Sequence, residues 1–284
     1  MLKRTITGFI MTLVILPLVY LSGWFYIALT ATLSYLAGYE VLNMASKKEP
    51  NLQKIKYIAP LFNVVLILSY PIFDYSLVAP LIISLAVVLF FLAMNVVKAN
   101  FTSQHIMILL LNYFYTGLLF LAMLWLRHPE EAGHFNRGLY LIGYLLIVVV
   151  LSDIGAYTFG SMFGNHKLCP TISPNKTIEG FIGGLLLSVA AGLTYYFLVK
   201  GLAEYAILGF FSYLWIEIII VILTTFVLSI ASTIGDLIAS KLKREYGIKD
   251  YGYILPGHGG IMDRFDSTIF ASGFLVLILF LVAI

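Results

Sequence analysis

Two acidic residues, Asp236 and Asp263, flank a polar, glycine-rich segment of a chain that is otherwise strongly apolar. Such carboxylates suit a hard divalent ion such as Mg²⁺, which takes a few anionic oxygens and leaves its other positions to water and substrate phosphates. The glycines around His258 permit a tight turn that approaches a phosphate closely. Asp266 follows at the start of the last apolar stretch, as a weaker metal ligand or a helix cap. These residue types predict a metal and phosphate site.

Asp236 belongs to a polar stripe on the helix that precedes this segment. At 100° per residue, the stripe comprises Ser229, Ser232, Thr233, Asp236, Ser240 and Lys243. Hydroxyl groups that join helices explain the serines without any function, whereas an ionisable group at membrane depth is costly and indicates function. The basic residues of the last turn, Lys241, Lys243 and Arg244, suit both positive-inside anchoring and a phosphate site.

A second polar cluster lies in residues 152–184. Within it, Thr177 is the predicted cap of a helix that carries Glu179 in its first turn. Lys176 precedes this helix start and would make a phosphate site there. A capped loop with packing glycines explains the same pattern equally well, because Gly180 and Gly184 permit close helix contact. The candidate substrate-binding residues of this cluster are Asp153, Ser173, Asn175, Lys176 and Glu179.

The composition identifies the setting in which both clusters lie. Apolar residues make up 61% of the 284-residue chain and charged residues only 11%, whereas soluble domains have roughly 45–50% and about 25%. We therefore expect an all-α, polytopic membrane protein with about nine helices of about 20 residues each. The predicted spans are 5–21, 24–44, 57–73, 76–97, 105–126, 139–159, 178–199, 213–237 and 265–284. The single cysteine, Cys169, excludes an internal disulfide.

Lysine and arginine are distributed unevenly between the loops of this nine-span arrangement. Fourteen of the 17 fall on one side, and only Arg127, Arg137 and Lys200 fall on the other. Because positive loops stay in the cytoplasm, the asymmetry predicts a cytoplasmic N-terminus, a C-terminus on the opposite side and a cytoplasmic position for both polar clusters. Residues 1–137 are predicted to form an N-terminal group of about five spans, and residues 138–284 a catalytic region of about four.

The C-terminal motifs resemble the signature of a known family. In order, they read Ser240-Lys-Leu-Lys-Arg, Lys249-Asp250, Leu255-Pro256-Gly257-His258-Gly259-Gly260 and Asp263-Arg264-Phe265-Asp266. This pattern is similar to the C-terminal signature of phosphatidate cytidylyltransferases, also called CDP-diacylglycerol synthases. The segment 153–184 is similar to the other characteristic region of that family, including its Ser-Pro-x-Lys-Thr and Glu-Gly parts.

The resemblance implies transfer of CMP from CTP to phosphatidate, with release of pyrophosphate and formation of CDP-diacylglycerol for phospholipid biosynthesis. Mg²⁺ is the implied cofactor, with a second cation left open. The implied partners are CTP, phosphatidate and the lipid bilayer, while nucleic acid is not expected and a homodimer is left open. We expect a multi-pass protein of a bacterial cytoplasmic membrane whose active site faces the cytoplasm.

Individual residues receive expected roles from the resemblance. Asp236 and Asp263 are expected to bind the catalytic metal, and the His258 turn is expected to shape the nucleotide pocket or to hydrogen-bond a leaving oxygen. Independently of the resemblance, the position of Glu40 near the cytoplasmic end of the second predicted span suggests that it adds a wall to the site. The expected catalytic residues are Asp236, Lys243, His258, Asp263 and Arg264. The expected substrate-binding residues are Asp153, Ser173, Asn175, Lys176, Glu179, Ser240, Arg244, Lys249, Asp250, Gly259 and Gly260.

Two other groups of functions remain as alternatives. A CTP-dependent polyprenol or phytol kinase, or a cytidylyltransferase for another lipid phosphate, would use the same nucleotide. A cation or lipid transporter with Asp153 and Asp236 on its pathway belongs to a different class of protein. Transporters carry intramembrane charge near the bilayer centre, whereas the charged residues here gather at one interface.

Overall fold

A computed structural model describes residues 2–98, 100–127, 135–200, 214–257 and 259–283. Almost all of its regular structure is helical. The helices are α1 (Leu2–Leu21), α2 (Gly23–Ala45), α3 (Pro60–Ile72), α4 (Val78–Val97), α5 (Ser103–Asn112), α6 (Leu119–Leu126), α7 (Phe135–Phe163), α8 (Ile178–Lys200), α9 (Leu214–Glu245) and α10 (Met262–Ala283). A 3₁₀ turn forms at Pro50–Leu52, and a π-helical turn, Tyr113–Leu118, joins α5 to α6. The predicted all-α class is confirmed.

Seven helical segments among the described residues are long and apolar enough to cross a membrane. They are Gly23–Ala45, Val78–Val97, Ser103–Leu126, Arg137–Phe163, Ile178–Lys200, Leu214–Glu245 and Met262–Val282. Two further apolar helices, Thr7–Leu21 and Pro60–Ile72, are shorter. The polytopic membrane fold is thus confirmed, and every predicted span has a corresponding helix. Nine crossings and the orientation of the chain stay predictions.

A short antiparallel hairpin precedes α8, where the sequence predicts only a turn and a helix start. Its strands are β1 (Lys167–Cys169) and β2 (Ser173–Thr177). The N–H of Ile178 donates to the carbonyl of His166 at 2.9 Å and ties the base of the hairpin to α8. Strands this short show no sequence period, and Pro174 argues against a strand in general. Proline is tolerated here because each strand of a two-stranded hairpin is an edge strand.

The chain forms two compact units, each described by itself. The first comprises Met1–His128 and Glu245–Arg264, and the second comprises Pro129–Arg244 and Phe265–Ile284. In the first unit, α2, α3 and α6 contribute fully buried core residues such as Leu42, Leu66 and Phe120. The predicted functional division at residue 137 stays a prediction.

Glycines set the packing of α7 against α8 in the second unit. A Cβ atom on Gly184 would lie 2.5 Å from the carbonyl oxygen of Ser152, and one on Gly180 would lie 3.0 Å from the Cα of Gly160. The predicted close helix contact at Gly180 and Gly184 is confirmed, because no side chain fits there. These glycines therefore serve packing within the chain, as small residues commonly do between membrane helices.

Hydroxyl groups join α7 to α9 in the same unit. The Oγ atoms of Ser152 and Ser229 lie 2.8 Å apart, and the hydroxyl of Tyr144 lies 2.6 Å from Oγ1 of Thr225. Ser229 is fully buried in this contact. For this serine of the polar stripe, the interpretation as a link between helices is confirmed.

Candidate active site

An ion pair joins the hairpin to α9 in the second unit. Nζ of Lys176, on β2, lies 2.5 Å from Oδ2 of Asp236. The hydroxyl of Ser240, one turn further along α9, lies 3.4 Å from Oδ1 of the same carboxylate. The paired side chains are 26% and 32% exposed, so an incoming anion can reach them. The fold thereby brings together a predicted phosphate ligand and a predicted metal ligand.

A cavity of about 220 Å³ lies beside this ion pair. Its lining includes Asp153, Tyr157, Asn175, Lys176, Phe181 and Thr233. Three of the predicted substrate-binding residues of this cluster, Asp153, Asn175 and Lys176, therefore share one cavity. A lining that combines charged, amide and aromatic side chains suits a ligand in which a polar group is attached to an apolar one.

Ser173 and Glu179, the other two predicted binding residues of this cluster, make contacts within the chain. Ser173 pairs with Cys169 in the hairpin. Oε1 of Glu179 lies 2.6 Å from Nδ1 of His166, and its carboxylate also accepts the N–H of that residue at 3.2 Å. Glu179 therefore anchors the loop between α7 and β1, while a contact of either residue with substrate stays a prediction.

Thr177 caps α8 as the sequence predicts. Its Oγ1 accepts a hydrogen bond from the N–H of Gly180 at 3.1 Å, the usual capping geometry of a threonine. The cap sets the point at which β2 ends and α8 begins. Since Lys176 directly precedes the cap, its backbone position is set by the same contact.

The basic residues at the end of α9 differ in burial. Lys243 is only 9% exposed, whereas Lys241 and Arg244 are exposed. Lysine is seldom buried without specific contacts, and Lys243 lies on the same helix face as Asp236 and Ser240. Burial on the polar stripe favours a specific role for Lys243 over positive-inside anchoring.

In the first unit, Asp263 braces the segment between α9 and α10. Its Oδ2 accepts the N–H of Tyr251 at 2.8 Å and the N–H of Gly260 at 2.9 Å. Within the segment, the N–H of Leu255 donates to the carbonyl of Gly259 at 3.0 Å. Gly259 has a φ of +88°, a conformation that glycine adopts without strain. The predicted tight glycine turn is confirmed.

A second cavity, of about 640 Å³, lies against this turn. Its lining includes Lys249, Asp250, Tyr253, Gly257, Gly259 and Arg264. The fold therefore brings together four residues that the sequence assigns to substrate or catalysis: Lys249, Asp250, Gly259 and Arg264. His258 lies outside the described residues.

The start of α10 corrects one sequence expectation. The helix begins at Met262, three residues before the predicted span, so Asp266 lies inside the helix and is not its cap. Its Oδ1 accepts the N–H of Ser267 at 2.7 Å, and its side chain is 6% exposed. The cap was misplaced because apolar content, on which the predicted start rests, changes only at Phe265.

Glu40 has contacts that the sequence did not indicate. Its carboxylate accepts backbone N–H groups at the start of α10 and lines a further cavity of about 550 Å³ with Lys47 and Lys249. The sequence interpretation gave Glu40 only a wall of the site. A glutamate in an apolar helix was the available signal, since such residues are rarely placed there without a partner.

A family comparison decides the class of the protein. The model of a group described as the cytidylyltransferase family matches residues 2–282. The chain belongs to the cytidylyltransferase family. It is therefore a nucleotidyltransferase, and the apolar helices make it an integral membrane protein.

Individual relatives of this cytidylyltransferase carry a more specific name. A phosphatidate cytidylyltransferase of Staphylococcus haemolyticus is 35% identical over 281 residues, covering 97% of this chain and 98% of that protein. Proteins of the same name from Bacillus subtilis and Staphylococcus aureus are 34% and 35% identical over 280 and 278 residues. They cover 98% and 97% of this chain and 97% and 98% of their own lengths. The similarity thus extends over the whole chain.

The carboxylates of this chain fit a divalent cation that is bound together with substrate. Among the described residues, no three His, Cys, Asp or Glu side chains group into a complete metal cage. Mg²⁺ is usually held by one or two carboxylates, while waters and substrate phosphates supply its other ligands. Asp236 in the second unit and Asp263 in the first are both partly exposed carboxylates. Their joint action on one ion stays a prediction.

Proposed function

We propose that the protein transfers CMP from CTP to phosphatidate, releasing pyrophosphate and forming CDP-diacylglycerol. The observation that carries this proposal is the similarity, over 97–98% of the chain, to proteins named phosphatidate cytidylyltransferase. The geometry supports it, because each unit holds basic residues and a carboxylate around an open cavity. We further propose that the reaction occurs at the cytoplasmic side of a bacterial membrane, where CTP is found.

The reaction needs neutralisation of charge more than it needs a base. A phosphomonoester has a second pKa of about 6 and is mostly dianionic near neutral pH, so the phosphatidate oxygen is already a nucleophile. That oxygen forms a bond to the α-phosphorus of CTP, while the bond from this phosphorus to the bridging oxygen breaks. Pyrophosphate leaves with the electron pair. Both reactants are anions, so the protein must bring them together against their repulsion.

Basic residues of the chain provide part of this neutralisation. Lys249 and Arg264, which line the cavity of about 640 Å³, bind phosphate oxygens of CTP in our proposal. Gly259 lies in the same lining, and in our proposal its backbone N–H donates to a phosphate. Lys176, paired with Asp236 at 2.5 Å, is oriented by that carboxylate and binds an anionic group that enters its cavity.

Carboxylates hold the cation in this proposal. Asp236 in the second unit and Asp263 in the first are each proposed as a cation ligand, and Asp266, which already accepts hydrogen bonds from Ser267, is the weakest candidate. When bound, Mg²⁺ polarises the phosphates and neutralises their charge. Ser240 lies within 3.4 Å of Asp236 and restricts the orientation of that carboxylate.

An assay of the purified protein with labelled CTP tests the reaction. We expect label from the α-phosphate to enter the lipid when phosphatidate and Mg²⁺ are supplied, and chelation of divalent ions to stop the transfer. Entry of γ-phosphate label into a lipid alcohol would instead establish a lipid kinase. Failure to incorporate either label would contradict a nucleotide-dependent lipid enzyme and favour a transporter.

Two substitutions test the metal carboxylates. Asp236→Ala and Asp263→Ala should each abolish CMP transfer while the protein remains folded in membranes. Asp74→Asn is a matched control, because it neutralises an aspartate of the turn between α3 and α4, where a φ of +50° suits asparagine. Retention of most activity in either alanine variant would remove that residue from the metal site.

A further inference from the structure

The buried carboxylate of Glu40 contacts both ends of the loop formed by residues 251–260. Glu40 is only 1% exposed. Its Oε1 accepts the N–H of Ile261 at 3.1 Å, and its Oε2 accepts the N–H of Met262 at 2.9 Å. A Cβ atom on Gly252 would lie 2.9 Å from the carboxyl carbon of Glu40, and one on Gly260 would lie 2.6 Å from it. The two glycines therefore leave the space that this carboxylate fills.

Asp263 holds the same two ends of the loop. Its Oδ2 accepts one N–H from each end, from Tyr251 and from Gly260. The two carboxylates thus close the base of the loop, and the hydrogen bond from Leu255 to Gly259 closes its tip. These contacts fix the described residues at the base of the loop, between Lys249 and Arg264.

The carboxylate of Glu40 is a suitable hydrogen-bond acceptor for the backbone N–H groups at the start of α10. The first N–H groups of a helix have no partner within the helix, and the helix dipole favours a negative charge beside them. A carboxylate satisfies two such groups with two acceptor oxygens. An amide of the same shape offers one acceptor and turns its NH₂ group toward the other N–H. Glutamine is therefore an isosteric substitution that removes one hydrogen bond and introduces a repulsive contact.

We propose that Glu40 is a positioning residue for nucleotide binding: it holds the 251–260 loop so that Lys249 and Arg264 meet the phosphates of CTP. This role rests on the CMP transfer proposed above. Glu40 contacts backbone rather than substrate, so it acts through the loop. Its loss should weaken the use of CTP and leave the use of phosphatidate unchanged.

Steady-state kinetics of Glu40→Gln in mixed micelles test this role. We expect the KM for CTP to rise about tenfold, because Lys249 and Arg264 then occupy the binding position for a smaller fraction of the time. The KM for phosphatidate should not change. Glu49→Gln is the matched control, because Glu49 is a carboxylate of the same unit that pairs with His105 at 3.1 Å instead. The control should keep the parent KM for CTP. Because Glu40→Gln also loses a buried hydrogen bond, both variants are assayed at a temperature at which each is fully folded.

A second variant reaches the same carboxylate from the loop. Gly252→Ala places a methyl group against Glu40 and should also raise the KM for CTP. In a Glu40→Ala background, the same change should add little, because the group that it displaces is gone. Such non-additivity is the mark of two residues that act through one contact. Independent, additive effects of the two substitutions would overturn the proposed coupling.

The outcomes separate this role from the proposed reaction. An active parent enzyme whose KM for CTP is the same in Glu40→Gln overturns the positioning role alone. Loss of folded protein in both Glu40→Gln and Gly252→Ala would make Glu40 a residue of stability only, and also overturns it. Absence of CMP transfer in the parent overturns the proposed reaction and, with it, this role.

Discussion

Nζ of Lys176 lies 2.5 Å from Oδ2 of Asp236. This contact ties the hairpin before α8 to the polar stripe of α9, and it gives both residues a defined orientation beside the cavity of about 220 Å³. A lysine paired with a carboxylate can exchange that partner for a substrate phosphate without leaving its position. In the proposed reaction the pair therefore has two roles: Lys176 orients the carboxylate of Asp236 and binds an anion.

Removing the charge of Lys176 should impair the reaction. We expect Lys176→Met to lower kcat/KM by roughly 10- to 100-fold, because charge-assisted hydrogen bonds contribute about 1.5–3 kcal/mol. Lys167→Met is the control, since Lys167 is an exposed lysine on the neighbouring strand. Equal activities of the two variants would reduce Lys176 to a structural partner of Asp236.

Burial distinguishes two lysines at the end of α9. Lys243 is 9% exposed and lies on the polar stripe, whereas Lys241 is exposed. We expect Lys243→Ala to raise the KM for a substrate at least several-fold, and Lys241→Ala to behave like the parent. Initial rates across a range of CTP and phosphatidate concentrations give both values. If both variants match the parent, Lys243 is an anchor at the membrane surface.

The contact between α7 and α8 should tolerate no side chain at Gly184. Valine there would meet the carbonyl of Ser152, and overpacking of this kind costs about 1–3 kcal/mol. We expect Gly184→Val to lower the melting temperature in detergent. Ala190→Val places the same side chain at an exposed position of α8. This control should leave the melting temperature unchanged. Similar melting temperatures of the two variants would contradict the close packing.

A separate ion pair, between Lys200 on α8 and Glu217 on α9, should serve stability alone. Their N–O distance is 2.5 Å, and Tyr196 also donates to Glu217. Glu217→Leu should lower the free energy of unfolding by about 1–2 kcal/mol. This is less than a fully buried pair would contribute, because the side chain of Lys200 is 37% exposed and solvent screens its charge. Adding Lys200→Met should restore much of the loss, since no unpaired charge remains. Denaturation curves measure the free energy of unfolding of both variants. The activity per folded molecule should not change in either variant.

Several features follow from local sequence and were predictable for that reason. The membrane helices follow from long apolar stretches, and the cap at Thr177 follows from a hydroxyl placed three residues before the N–H that it binds. The close contact at Gly180 and Gly184 follows from small residues one turn apart on a helix. In each case the physical cause lies within a few residues, so composition and spacing contain it.

Other features depend on contacts between distant segments, and only the tertiary structure decides them. The carboxylate of Glu40 binds N–H groups 221 and 222 residues away. Lys176 precedes α8, whereas its partner Asp236 lies on α9. The hairpin forms because β1 and β2 pair with each other. Strands of three and five residues are too short to show the alternation of polar and apolar residues that predicts a strand. The sequence by itself determined which residue types are available for phosphate and metal chemistry. Their partners were decided by packing, because a hydrogen bond or ion pair depends on where the backbone brings two groups, and spacing along the chain does not encode that.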